Sequence, residues 1–239
     1  MNATTRIQSY LVRADLDRYL VQTPVIAKNI HAIMAAMGGL PPDFHLDTLY
    51  TYAVPQLGDD GACSLIDDMS PTPYDLAVTL GGRTDANTRK LLLLNQVVEH
   101  VTQMCGADWL GIYQARVDAK GGRTLVKLAY RGRPSRAEFP LTAEFAYGNP
   151  GSTNSSVGLE GSARVIDDVA AYVAEGGGFY VCDDKVQSEA CLPVFDEAGN
   201  IIGILDAEAA PRQFFNPDRI SALAALALVV PALLPEDKG

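Results

Sequence analysis

Three acidic residues and a cysteine fall in two neighbouring segments whose alternation of apolar and polar residues is typical of β-strands. Residues two apart on a strand share a face, so Asp206 and Glu208 project to the same side. By the same rule, Glu189 shares a side with Cys191. Residues 196–200 join the two segments as a hairpin, which brings the four side chains together at one end. Carboxylates this close repel one another. The cluster therefore predicts a cation, a bound proton or an ammonium-bearing ligand, unless some of these groups simply face water.

The cysteines offer a second kind of chemistry. None of them forms a Cys-x-x-Cys pair and the histidines lie far away in the sequence, so we predict no metal site. A disulfide framework is not expected in a reducing compartment. Cys182 follows a short apolar segment and enters a polar loop, where an exposed thiol reacts if its pKa is lowered. The charges of Asp183 and Asp184 would raise the pKa of the Cys182 thiol, and that of Lys185 would lower it. The residues alone therefore allow Cys182 to be either a nucleophile or an inert cysteine.

Composition narrows the range of partners. The 239 residues carry 19 basic and 29 acidic side chains, a net charge of 19 − 29 = −10. A chain this acidic is not expected to bind nucleic acid or an anionic membrane, whereas small cationic or zwitterionic ligands are compatible with it. We find no secretory signal, and the longest apolar stretch, residues 220–234, is interrupted by Ser221 and Pro231 and is too short for a bilayer. We therefore expect a soluble, cytoplasmic protein.

The order of the predicted elements indicates an α+β fold. Alternation predicts strands over residues 109–116, 124–130, 190–195 and 201–208. A helix is expected over residues 85–105, and a last helix begins at residues 216–217. Residues 146–157, rich in small and turn-forming side chains, are expected to form a loop. Because the order lacks the strand–helix alternation of a parallel sheet, we predict an antiparallel sheet flanked by helices.

The first 85 residues differ from the rest and predict a mostly helical and irregular N-terminal arm. A helical pattern over residues 11–37 is interrupted at Pro24, and the segment after it is rich in proline and glycine. We expect this arm to wrap either on the main domain, residues 86–235, or on a second subunit. The apolar faces of the predicted helices at 85–105 and 216–234 exceed what one small sheet covers, so we also expect a homodimer.

Several short motifs point to a known family. They are Trp109-Leu110-Gly111-Ile112-Tyr113, Val165-Ile166-Asp167-Asp168-Val169, Cys182-Asp183, Ser188-Glu189, Pro193 and Ile202-Gly203-Ile204-Leu205-Asp206-Ala207-Glu208. Together they resemble the GAF domain family, and within it most closely the free methionine-(R)-sulfoxide reductases. The resemblance covers residues 86–235 and not the arm, and its more specific part runs from Cys182 to Glu208.

The resemblance implies a role for each matching position. Cys182 falls where the family keeps the cysteine that attacks the sulfoxide. The implied substrate-pocket residues are the aromatic Trp109 and Tyr113 and the acidic Glu189, Asp206 and Glu208. In the implied reaction, the carboxylates hold the amino group of free methionine sulfoxide and orient a proton at its oxygen. The thiolate attacks sulfur, leaving a sulfenic acid. The resemblance implies no bound cofactor, only an external thiol reductant such as thioredoxin.

The chain departs from this family at the resolving cysteine. The family has two further cysteines in the segment that corresponds to residues 144–156, and none is present here. Asn154 falls near the missing resolving thiol, so an enzyme of this kind would work as a one-cysteine variant or use Cys191 or Cys63 in its place. Three hypotheses therefore remain open: a one-cysteine sulfoxide reductase, a non-catalytic GAF module that senses a small ligand, and a structural dimer with a vestigial pocket.

Overall fold

A computed structural model of the chain describes residues 2–38, 47–57, 69–117, 121–179 and 183–237. Its α-helices are α1 (Ala3–Arg13), α2 (Thr23–Ala36), α3 (Asp47–Tyr50), α4 (Leu76–Thr79), α5 (Asp85–Cys105), α6 (Ala143–Tyr147), α7 (Thr153–Glu160), α8 (Val169–Ala174) and α9 (Pro217–Val229). Its strands are β1 (Thr51–Tyr52), β2 (Tyr74–Asp75), β3 (Trp109–Val117), β4 (Arg123–Arg131), β5 (Glu138–Pro140), β6 (Arg164–Ile166), β7 (Ser188–Phe195) and β8 (Ile201–Ala209). Short 3₁₀ helices follow α1, at Asp17–Gln22, and α9, at Val230–Ala232.

The main sheet has six strands in the order β5-β4-β3-β8-β7-β6, and each neighbouring pair is antiparallel. The predicted antiparallel sheet flanked by helices is confirmed. The four predicted strands are β3, β4, β7 and β8, and their observed ends lie within two residues of the prediction. The edge strands β5 and β6 and the arm strands β1 and β2 have two or three residues each, too few to show an alternation in sequence.

Helix α5 begins and ends at the residues that the sequence indicated, whereas α9 begins as expected but ends at Val229, before the predicted end at residue 234. The Thr84 side chain accepts a hydrogen bond from the Asn87 amide at the start of α5, and Gly106 ends this helix with a φ of 71°. The Asn216 side chain accepts one from the Arg219 amide at the start of α9. These caps satisfy backbone groups that a helix leaves without internal partners.

The arm is part of the same hydrophobic core. Helix α2 packs on α9, and α5 packs on α9 from another side. The Arg6 guanidinium donates to the Leu228 carbonyl at 2.7 Å, and the Tyr10 hydroxyl donates to the Pro193 carbonyl at 3.1 Å. The apolar surface of α9 that led us to expect a homodimer is therefore covered within the chain, and the homodimer stays a prediction. The domain boundary at residue 85 also stays a prediction.

The opposite face of the sheet is covered where the sequence predicted only a loop. Residues 146–147 end α6 and residues 153–157 begin α7, so the loop prediction was wrong for these residues and holds only for the connection at 148–152. The Ser152 hydroxyl accepts a hydrogen bond from the Ser155 amide and starts α7. Residues 153–158 are all buried, and their small side chains let the helix approach the sheet closely. Tertiary packing has overridden a weak local helix signal here.

None of the helices in the described ranges has the length and apolar character needed to cross a membrane.

Candidate functional site

The pairing of β7 with β8 brings together the acidic residues that the sequence singled out. In this register Glu189 lies opposite Glu208, and Cys191 lies opposite Asp206. Glu189 and Asp206 are only 4% and 3% exposed, so these carboxyl groups do not simply face water. A carboxylate oxygen of each and the Cys191 sulfur all lie within 4.8 Å of one another. The cluster expected at one end of the hairpin is therefore formed by residues of both strands.

Asn154, in the first turn of α7, joins two members of this cluster. Its side-chain amide donates to Asp206 Oδ2 at 3.0 Å, and its Oδ1 accepts from the Cys191 thiol at 3.4 Å. The other oxygen of Asp206, Oδ1, is buried without a hydrogen-bond partner, and so is Oε1 of Glu189. Buried carboxylate oxygens without partners are costly, which suggests that they face a group that a ligand supplies.

The two buried carboxyl groups hold protons more tightly than usual. Burial raises the pKa of Asp206 to about 7, against the opposing effects of the Asn154 hydrogen bond and the Lys127 ammonium. Burial, followed by the charges of Asp206 and Glu208, raises the pKa of Glu189 well above its usual range. The cluster therefore has protons to give up when a cation enters and to donate when a bound group needs one.

Aromatic side chains form a wall beside the acidic cluster, and Gly111 leaves the space that one of these rings occupies. On β3, Trp109 lies opposite Glu208 and Gly111 lies opposite Asp206. The indole ring of Trp109 lies across Gly111, where a Cβ atom would be 2.1 Å from the ring carbon Cη2. The Trp109 Nε1 donates to the Arg133 carbonyl at 3.0 Å, and the ring centroid lies 6.3 Å from that of Tyr113. The wall predicted from Trp109 and Tyr113 thus adjoins the carboxyl groups.

These side chains enclose a cavity of about 20 Å³. It is lined by Trp109, Tyr113, Ser135, Phe139, Ser152, Thr153, Asn154, Glu189, Asp206 and Glu208. All five substrate-pocket residues named from the resemblance are in this set. Sequence reasoning missed Ser135, Phe139, Ser152 and Thr153, which reach the cavity from a turn, an edge strand and the start of α7. A volume of this size holds about one water molecule or one group of similar size, such as an ammonium.

The predicted reactive cysteines are placed differently. Cys182 and Cys63 lie outside the described residues. Cys191 lies inside the acidic cluster, where burial and the charges of Asp206 and Glu189 raise its thiol pKa well above the usual range. A resolving thiol attacks as the thiolate, so this environment works against the resolving role considered for Cys191.

The same cluster contains side chains of the kinds that bind metal ions. Glu189, Cys191 and Asp206 offer three donor atoms in the described part of the chain, one fewer than a closed tetrahedral site uses. All three have raised pKa values, so a metal ion would have to displace protons before it could bind. The absence of a metal site stays a prediction.

The residues on either side of Cys182 border the cavity wall. The Gly178 carbonyl accepts a hydrogen bond from the Thr153 hydroxyl at 3.4 Å. Asp183 forms an ion pair with Arg133 at 3.5 Å, and the Arg133 carbonyl is the acceptor for the Trp109 indole. Gly178 thus contacts a residue of the cavity lining directly, and Asp183 is connected to one, Trp109, through Arg133.

Comparison with solved structures places this site in a known fold. A type II free methionine-R-sulfoxide reductase from Thermoplasma acidophilum aligns with 62% of this chain and 94% of its own, with a TM-score of 0.52 and 18% identity. The free methionine-R-sulfoxide reductase of Neisseria meningitidis, solved with its substrate, aligns with 66% and 82%, at a TM-score of 0.48 and 22% identity. The GAF domain of an Acinetobacter phosphoenolpyruvate-protein phosphotransferase aligns with 65% and 85%, at 0.45 and 14%. At these identities the likeness concerns the fold alone.

No curated protein matches the sequence. The family model described as GAF domain matches residues 91–230, which are more than half of the chain. These residues extend from α5 through the acidic cluster to the end of α9. The matched residues contain the whole β3-to-β8 sheet and every residue of the cavity lining. The chain therefore belongs to the GAF domain family.

Proposed function

We propose that the acidic cavity binds a small free ligand through an ammonium group. The observation that carries this proposal is the pair of buried, unpartnered oxygens, Glu189 Oε1 and Asp206 Oδ1, at a cavity of about 20 Å³. An ammonium group is about the size of a water molecule, supplies three N–H donors and neutralises the cluster. The rest of the ligand would lie along the Trp109 and Tyr113 wall, which suits an apolar or sulfur-containing side chain.

Ligand affinity is expected to rise with pH if the ammonium must displace a proton. The pKa of Asp206 is raised by burial to about 7, so below that pH the ligand competes with the bound proton. Binding of free methionine-(R)-sulfoxide, measured by titration calorimetry, should tighten about tenfold between roughly pH 6 and pH 8 and level off above. The N-acetylated ligand, which has no ammonium group, should bind weakly at every pH. Equal binding of both compounds would contradict the proposal.

For the reaction, we propose reduction of free methionine-(R)-sulfoxide by Cys182. The support is that Gly178, before this cysteine, bonds the cavity residue Thr153, and that Asp183, after it, pairs with Arg133, whose carbonyl accepts from the Trp109 indole. Glu189 and Asp206 also retain protons. The Cys182 thiol attacks the sulfoxide sulfur, and the oxygen passes to the cysteine as the S–O bond of methionine breaks. The methionine sulfur gains two electrons and Cys182 becomes a sulfenic acid. Two external thiols then reduce the sulfenic acid, releasing water and a disulfide.

The second candidate function is ligand sensing without turnover. Asn154, at the position near the family's resolving thiol, bonds both Asp206 and Cys191 and so braces the cavity for binding. The raised pKa of Cys191 leaves this thiol poorly suited to complete a disulfide cycle. Both candidates need the same ligand site and differ only in whether Cys182 reacts.

The deciding experiment measures turnover and binding of free methionine-(R)-sulfoxide side by side. Turnover is followed with thioredoxin and with dithiothreitol, for the wild type, Cys182→Ser and the control Cys105→Ser, whose cysteine lies at the end of α5. Turnover that disappears only in Cys182→Ser supports the reductase. Binding without turnover supports the sensor and excludes the reaction proposed for Cys182. Neither binding nor turnover by a folded protein would overturn both for this ligand.

A further inference from the structure

Lys127, on β4, is a fully buried lysine at the border of the acidic cavity. Its side chain has no exposed surface. The ammonium donates to the Ser135 carbonyl at 2.7 Å and to the Ser135 hydroxyl at 2.8 Å. Ser135 is itself part of the cavity lining. Lys127 therefore holds a turn of the chain in the position where it closes one side of the cavity.

Three aromatic rings surround this ammonium and come from three parts of the chain. The Lys127 Nζ lies 4.1 Å from the ring centroid of Tyr130, 5.0 Å from that of Tyr52 and 5.9 Å from that of Trp109. A buried ammonium is costly unless it is paired, and cation–π contacts of this kind offset part of that cost. We call Tyr52, Trp109 and Tyr130 the aromatic cage.

The N-terminal arm supplies one wall of the aromatic cage. Tyr52 lies on the arm strand β1, and its hydroxyl donates to the Lys127 carbonyl at 2.8 Å. Its ring stacks on Tyr74 of β2 with centroids 5.4 Å apart and meets Tyr130 edge-on at 5.5 Å. The arm therefore contacts the backbone and the charged end of the same lysine.

Lys127 also supplies a positive charge to the acidic cluster. The groups that face Asp206 from the packed elements are Glu189 and Cys191 on β7, Glu208 on β8, Asn154 on α7 and Lys127 on β4, while Arg164 on β6 acts on Cys191. The Lys127 ammonium lowers the pKa of Asp206 against the effect of burial. The charge that favours an ionised, cation-binding Asp206 is thus held in place by Ser135 and by the aromatic cage.

We propose that Lys127 is a positioning residue of the ligand site and that Tyr52 of the N-terminal arm locks it there. Lys127 holds Ser135 by two hydrogen bonds and lies 5.9 Å from the ring centroid of Trp109, and both residues line the cavity. The arm is then part of the binding machinery, although none of its described residues lines the cavity itself. This inference rests on the proposed function for its consequence, which is tighter ligand binding near neutral pH.

The test measures the charge state of Asp206 without any ligand, so it succeeds or fails independently of the proposed function. The pKa of the Asp206 carboxyl group is followed by carbon NMR in the wild type, Lys127→Met and Lys127→Arg. We expect Lys127→Met to raise this pKa by about one pH unit, and Lys127→Arg to restore most of the difference, since the charge is kept. Should methionine sulfoxide bind, its affinity at about pH 7 should fall about fivefold in Lys127→Met, as the ionised fraction of Asp206 falls.

A pair of arm variants separates the role of Tyr52 from simple destabilisation. Tyr52→Leu removes a ring of the aromatic cage and should shift the Asp206 pKa in the same direction as Lys127→Met, by a smaller amount. Tyr50→Leu removes a buried ring of the same arm whose hydroxyl hydrogen-bonds Thr88 at 2.8 Å, and it should leave the Asp206 pKa unchanged.

The outcomes are decisive in either direction. An unchanged Asp206 pKa in folded Lys127→Met, or an equal shift in Tyr50→Leu, would overturn the proposal. If Lys127→Met does not fold, Ser135→Ala carries the test, because it removes one acceptor and should raise the Asp206 pKa and shift the Trp109 emission. No change in either readout for Ser135→Ala would equally count against it.

Discussion

Asp206→Asn is expected to make the protein more stable than the wild type above neutral pH and to leave stability nearly unchanged near pH 4. In the wild type, burial raises the pKa of Asp206 from 3.8 to about 7. Between these values the folded state keeps a proton that the unfolded state has lost, so the free energy of unfolding falls as the pH rises. At about 1.4 kcal/mol for each pH unit, the loss amounts to about 4 kcal/mol above pH 7.

The asparagine variant removes this loss without removing the packing. Its side-chain oxygen can accept the hydrogen bond that Asn154 now donates to Asp206 Oδ2 at 3.0 Å. Its amide can turn toward Glu189, whose Oε1 has no partner. Urea unfolding of both proteins from about pH 4 to about pH 8 gives the difference, and titrating groups remote from Asp206 cancel in the comparison.

Asp196→Asn is the matched control because its effect should have the opposite sign. Hydrogen bonds from Asn200 lower the pKa of Asp196, so its carboxylate stabilises the fold above its unfolded pKa, and that contribution is lost on acidification. The control variant should therefore be the less stable protein at neutral pH. The opposite result, an Asp206→Asn variant that is less stable than the wild type at about pH 8, would show that the ionised Asp206 is stabilised by its surroundings. It would contradict the destabilising charge that we infer from its burial.

The approach of the acidic side chains could be predicted from the sequence because a hairpin has a simple geometry. Alternation with a period of two fixes which residues share a face, and the short connection at residues 196–200 keeps the two strands side by side. The observed pairs, Glu189 with Glu208 and Cys191 with Asp206, also depend on a register shift between Val194 and Phe195 that the strand spacing does not show. The observed burial decides the alternative that the sequence left open, since Glu189 and Asp206 do not face water.

The parts of the site on α7 could not be predicted because no local pattern marks them. The helix has only two large apolar side chains, Val157 and Leu159, which form no apolar stripe, and it is held by its fit against the sheet. A Cβ atom on Gly158 would lie 2.6 Å from Leu141 Cδ2, so the Leu141 side chain would have to shift to admit a larger residue. Such a fit depends on residues distant in sequence, and one sequence does not show it.

Lys127 did leave a signal in the sequence that strand periodicity alone does not interpret. Its sequence neighbours in the strand, Val126 and Leu128, are apolar. A lysine in such a strand is rarely buried unless its ammonium has partners. Its partners come from the arm, from β3 and from the turn at Ser135, none of which the strand pattern connects. The function of the arm therefore emerged only from the structure.

Gly111→Ala is expected to disrupt the aromatic wall of the cavity while leaving the fold intact. A Cβ atom at this position would lie 2.1 Å from Trp109 Cη2 and within 3.0 Å of two further ring atoms, so the indole must move. Displacing a packed ring in this way costs about 1–3 kcal/mol. The ring would then lose its place beside Asp206 and its approach to the Lys127 ammonium, 5.9 Å from its centroid.

Trp109 reports on this change directly because it is the only tryptophan of the chain. In Gly111→Ala its emission should shift to longer wavelength as the ring gains contact with water, and affinity for methionine sulfoxide should fall at least about tenfold. Gly38→Ala is the matched control, since its new Cβ atom would meet its nearest neighbour at an ordinary 3.6 Å. Unchanged emission and affinity in Gly111→Ala would mean that the wall does not depend on this glycine. Contacts other than the space left by Gly111 would then hold the indole beside the carboxyl groups.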